Sequence, residues 1–106
     1  MIAPISITSI ASISALGSNT QEILKSYTSK NHFLKEKEFS NTNAYVGNLS
    51  EQSNQEILKV KNSDIKYKSL DRSVLFALYV AREAIKKASW QKGHNFGVNF
   101  GSSRGA

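Results

Sequence analysis

Gly101-Ser102-Ser103-Arg104-Gly105 satisfies G-x-S-x-G directly after a β-patterned run, and it is the sharpest chemical motif in the 106-residue chain. In serine hydrolases this pattern makes a tight strand-to-helix turn that presents the central serine as a nucleophile; an acid and a histidine follow it in chain order. An α/β-hydrolase reading therefore names Ser103 as its nucleophile. Only Arg104, Gly105 and Ala106 come after it, and His32 and His94 both precede it, the wrong order for that fold. A Gly/Ser loop leaving a sheet accounts for the same five residues, because glycine accepts backbone angles that other residues avoid.

The remaining candidates carry less. A phosphate-cradling reading of the same glycines lacks the lysine and Ser/Thr of a P-loop. His32 lies in a polar stretch and His94 between Gly93 and Asn95, so both read as loop residues rather than metal ligands. The chain has no cysteine, which excludes disulfides, thiolate metal sites and a cysteine nucleophile within it. No carboxylate pair has a spacing suited to acid–base work. Asp71 reads as a helix-start residue and Glu83 as solvent-facing or locally paired. These residues assign no catalytic, cofactor-binding or metal-binding position, and no cofactor is expected.

The elements that would position such groups follow from periodicity. Ile5-Ser6-Ile7-Thr8 alternates apolar and polar and is rich in β-branched residues, as a strand should be, with Pro4 at its leading edge. Gly17 to Thr20 supplies turn chemistry, and Asn19 or Thr20 caps a helix from about Gln21 to Ser29 that buries Ile23, Leu24 and Tyr27. Residues 30–68 read as polar surface loops with a short strand at Tyr45–Leu49 and a helical turn at Ser53–Leu58; Phe33, Leu34 and Phe39 are isolated apolar anchors. Ser69 or Asp71 then opens a long helix, Asp71 to Ala88, that stops near Ser89-Trp90.

That helix contains Val74-Leu75-Phe76-Ala77-Leu78-Tyr79-Val80-Ala81, apolar on every side. Val74, Ala77, Leu78, Ala81, Ile85 and Ala88 share one face at intervals of three and four, and Leu75, Phe76, Tyr79 and Val80 occupy the other sides. A helix apolar all round must be covered on nearly every side, and the chain has little else with which to cover it. Phe96-Gly97-Val98-Asn99-Phe100-Gly101 is the next strand, whose bare glycine face would let another backbone approach closely. Strand, helix, strand in this order indicates an α/β layered sandwich with at least partly parallel pairing. The expectation is that residues 1–106 form an incomplete domain, the opening section of a larger α/β protein.

Composition bounds the function. The length fits one domain, which buries roughly 60–70% of its unfolded surface, and 40% of the residues are apolar. The amino terminus lacks the basic leading region of a signal peptide, since Lys25 is the first positive charge, and no run approaches the ~20 apolar residues of a membrane span. A soluble cytoplasmic protein with no membrane partner is expected. The net charge is +6, but the lysines from Lys25 to Lys68 are interleaved with glutamates and form no continuous stripe, so no nucleic-acid partner is expected.

Five segments in order carry a resemblance: Ile5-Ser-Ile-Thr-Ser-Ile-Ala-Ser-Ile-Ser-Ala-Leu-Gly17, Tyr45-Val-Gly-Asn-Leu49, Leu70-Asp-Arg72, Ala81-Arg-Glu-Ala-Ile85 and Gly97-Val-Asn-Phe-Gly-Ser-Ser-Arg-Gly105. Together they resemble the amino-terminal part of the β-ketoacyl-acyl carrier protein synthases, condensing enzymes of the thiolase fold. The resemblance implies a five-layered α-β-α-β-α sandwich, with a mixed sheet and the helix at 71–88 buried in the central layer. It implies an acyltransferase of fatty acid or polyketide-type synthesis that condenses acyl and malonyl thioesters through a Cys-His-His set. Those three residues would lie outside this chain, which alone would be inactive. The implied partners are an acyl carrier protein and a second subunit, in a homo- or heterodimer of the parent enzyme. One departure is the turn after the first strand, where this chain has Ser9 and Ala11 in place of the family's usual glycines.

Overall fold

The computed structural model describes residues 3–103. Helix α1 (Thr20–Thr28) leads into an antiparallel hairpin of β1 (Leu34–Phe39) and β2 (Thr42–Gly47); α2 (Glu51–Asn62), a 3-10 turn (Ile65–Ser69) and α3 (Arg72–Lys87) follow. The fold is thus a small mixed α/β arrangement of three α-helices and one two-stranded sheet among the described residues. No described helix is long and apolar enough to cross a membrane.

Each helix starts where a side chain can accept the free amide hydrogens of its first turn. Asn19 caps α1: its side chain accepts from Glu22 N at 2.9 Å, while Glu22 Oε2 accepts in return from Ser18 N at 3.2 Å. This is a reciprocal arrangement of the capping-box kind. Ser50 accepts from Ser53 N to cap α2, and Asp71 accepts from Ser73 N to cap α3. The end of α3 is a Schellman turn, with Trp90 N bonded to Ile85 O at 3.2 Å, Ser89 N bonded to Lys86 O at 3.1 Å, and Ser89 in the left-handed region at φ 59. Sequence and structure agree on this stop.

The core is small. Ile57 and Val60 of α2 meet Leu75 and Tyr79 of α3, and Ile13, Leu49, Tyr67 and Phe76 pack around them. Ser53, Ile57 and Val60 are spaced to share one face of α2, and burying each large aliphatic contributes roughly 1.5–3 kcal/mol. Leu75 and Tyr79 are the buried residues of α3, while Val74, Ala77, Leu78 and Ala81 are half-buried, so the helix is not covered on every side as its apolar run led one to expect. An apolar run offers no preferred side, so the narrow stripe of α2 made the selection. The Cα radius of gyration, 16.7 Å, exceeds the ~13 Å of a compact 100-residue domain.

The hairpin is where sequence and structure part most clearly. β2 covers most of the expected Tyr45–Leu49 strand, but β1 falls where the sequence reads as loop: its Lys35-Glu36-Lys37-Glu38 run has no apolar face to announce it. Register pairs Leu34 with Gly47 and Phe39 with Thr42. The expected strands at Ile5–Thr8 and Phe96–Gly101 are not formed, and the sheet that exists is antiparallel. A strand exists only with a neighbour to accept its ladder bonds, and neither segment meets one. Ile5 is 93% exposed, Ile7 83% and Val98 65%. Nothing lies within 4 Å of where a Cβ would stand at Gly97 or Gly101, so no backbone uses the close approach those glycines allow. Of the expected buried face of α1, Ile23 is half-buried while Leu24 and Tyr27 stay exposed.

Candidate functional site

Helix α3 organises most of the features that chemistry could use. Asp71 fixes its start; the Ser73 hydroxyl, then the Ser73 amide, hold the Asp71 carboxyl below its ordinary range. Tyr79, one turn beyond Leu75, donates its phenolic hydrogen to the Ser18 carbonyl oxygen at 3.2 Å, joining two buried groups far apart in sequence. Burial pushes the Tyr79 phenol up, helped by the charges of Glu83, Glu56 and Glu22 and partly offset by its hydrogen bond to Ser18. Arg82 reaches the other way, donating to Ser63 Oγ at 3.3 Å and Tyr67 Oη at 3.2 Å while lying over the Tyr67 ring.

Two β-patterned segments flank this helix. At its far end Ser9 Oγ donates to Ala84 O at 2.6 Å and Lys87 Nζ to Ile10 O at 3.2 Å. Near its start, Val74, Ala77 and Leu78 border an apolar hollow of about 430 Å³ closed by Phe100, Gly101 and Ser102. Both segments therefore touch α3 through a few groups while most of their apolar side chains face outward.

Ser103 is exposed in a bend, and the segment before it is not a strand, so the tight strand-to-helix turn of a nucleophilic serine is not built there. Arg104 and Gly105, which complete the motif, lie outside the described residues. Each histidine serves its own turn: His32 Nδ1 accepts from Leu34 N at 3.3 Å, and His94 Nδ1 accepts from Gln91 N at 3.2 Å. No hydrogen bond among the described residues joins either histidine to Ser103. Asp71 is the helix cap that the sequence indicated, and Glu83 is half-buried one turn along α3 from Tyr79. Among the described residues no group of three or more His, Cys, Asp and Glu side chains could hold a metal ion.

Sequence reasoning missed Tyr79 as the polar latch of the core. The available signal was a phenol inside an apolar run, since a buried tyrosine hydroxyl needs a partner. What could not be foreseen is that the partner is a main-chain carbonyl at Ser18. No family model matches the chain, and no curated protein or solved structure matches it either.

Proposed function

We propose that this chain is the amino-terminal section of a β-ketoacyl-acyl carrier protein synthase-like acyltransferase, with the condensing residues outside it. In this reading α3 is the helix of the central layer in a thiolase-like sandwich, and Ile5–Thr8 and Phe96–Gly101 are strands awaiting their sheets. The observation that carries it is the open apolar surface at both flanks of α3: Ile5, Ile7 and Ile10 on one segment, Val98 and Phe100 on the other, each more than 60% exposed. Exposed large apolar side chains gathered on one segment mark a place where protein is meant to sit. The five ordered segments supply the family. Cysteine and histidines for acyl transfer would come from residues beyond these, and an acyl carrier protein would deliver the substrate to the parent enzyme.

The test uses the gene product as it occurs in its own cells, captured with an antibody to residues 51–87. The expected result is a species larger than 11.7 kDa that extends an acyl chain by two carbons when given acyl- and malonyl-loaded carrier protein. A monomer of 11.7 kDa that unfolds in one sharp transition and transfers no acyl group overturns the proposal.

A further inference from the structure

A second region, where α1 and the turn before it meet the base of the hairpin, combines cationic and apolar walls. One hollow of about 370 Å³ is bordered by Lys25, Lys35 and His32 together with Asn48 and Gln52. A second of about 480 Å³ is bordered by Tyr27, Phe33 and Ala15. Ala15, Leu16, Ser26, His32, Phe33 and Leu34 line both. Each volume lies within the roughly 300–1,000 Å³ of small-molecule sites. We infer that the two hollows are lobes of one binding site for a small anionic amphiphile, an apolar body carrying one phosphate or carboxylate head.

The charge arithmetic of the first lobe favours an anion. Its one acid, Glu22, is already committed: Oε2 accepts from Ser18 N at 3.2 Å and Oε1 from Asn19 Nδ2 at 2.9 Å. Lys25 and Lys35 have no carboxylate partner among the described residues, whose one ion pair is Lys59 with Glu56. The Nδ1 of His32 accepts from Leu34 N, which leaves the ring proton of the neutral imidazole on Nε2 as a further donor. Charge-assisted hydrogen bonds to such a head group are the strong ones. The second lobe offers aromatic and aliphatic side chains and neither lysine, sharing the His32 ring with the polar end of the first.

The walls are also held before any ligand arrives. Ser14 and Gly17 exchange two main-chain hydrogen bonds of 3.1 Å, and Ser26 Oγ donates to Leu16 O at 2.7 Å, fastening α1 to that turn. Gly47 brings the base of the hairpin against it: a Cβ there would stand 3.2 Å from the Ala15 Cβ. Prior ordering of the walls lowers the entropic cost of binding. The site stands apart from the acyltransferase reading, and neither depends on the other.

The full chain, labelled with 15N, is titrated with octyl phosphate, octanoate, octanol and inorganic phosphate, and amide shifts are followed residue by residue. The expected result is saturable shifts at residues 14–17, 25–35 and 48–52 with octyl phosphate or octanoate. Octanol and inorganic phosphate should bind about tenfold or more weakly, each lacking one half of the match. K25Q/K35Q should weaken the two amphiphiles by a similar factor, while K59Q, outside the site, leaves them unchanged. Equal binding of octanol, shifts centred on residues 5–10 or 96–100, or an unaltered affinity in K25Q/K35Q overturns the proposal.

Discussion

Replacing Tyr79 with phenylalanine removes one oxygen and tests how the amino-terminal segment is fastened to the core. The ring stays, so packing against Ile57, Val60 and Leu75 is kept, and the change isolates the bond to Ser18 O at 3.2 Å. A hydrogen bond contributes about 0.5–1.5 kcal/mol net, and stranding a buried acceptor costs about 1–3 kcal/mol. Ser18 is 7% exposed, so its carbonyl has little access to water and the second range applies in part. A loss of about 1.5 kcal/mol corresponds to roughly tenfold faster exchange of amides in α2 and α3. Native-state hydrogen exchange is the suitable assay because it reads local opening without requiring a single global transition. The raised pKa adds a pH signature. A phenol whose folded pKa lies above the ordinary 10.0 contributes stability that is present below that value and lost as pH rises through the folded one. Tyr79→Phe should remove this alkaline loss. Exchange within about twofold of the parent at neutral pH would mean that the Ser18 carbonyl finds water, and the latch would be refuted.

Two further substitutions probe the local geometry. Gly17 sits at φ +136, and a Cβ there would fall 2.6 Å from Glu22 Cβ; Gly17→Ala should therefore cost about 1–3 kcal/mol in strain, with added cost from the clash, read as loss of amide protection in the Ser14–Gly17 turn and the first turn of α1. Asp71→Asn keeps a capping side chain but removes its charge. Because the Asp71 carboxyl is held below 3.8, the parent's capping contribution is present above that value and lost as pH falls through the lowered folded one. The difference in α3 helicity between the parent and D71N, followed by circular dichroism from neutral to strongly acid pH, should carry that titration; a difference that does not vary with pH contradicts it.

Local rules settled much of the molecule before any contact was known. The start of α1 at Asn19 or Thr20 and of α3 at Ser69 or Asp71 follows from side chains that accept amide hydrogens within one turn, and the stop near Ser89-Trp90 from main-chain bonds back to Lys86 and Ile85. Such bonds need nothing distant, so residue types near the helix ends are enough. The absence of cysteine likewise closes whole classes of chemistry without reference to shape. Decisions between distant segments were of another kind. The core could form on any side of α3, and only the Ser53/Ile57/Val60 stripe of α2 decided that Leu75 and Tyr79 turn inward. The alternating charges of β1 become a strand through β2 alone, whereas the better strand patterns at Ile5–Thr8 and Phe96–Gly101 have no neighbour and stay irregular. The joining of Ser18 to Tyr79, and of Lys25 to Lys35 around one hollow, likewise arises from packing. Strand pairing and ligand pockets are relations between surfaces, and a residue's own identity does not specify which surface it will meet.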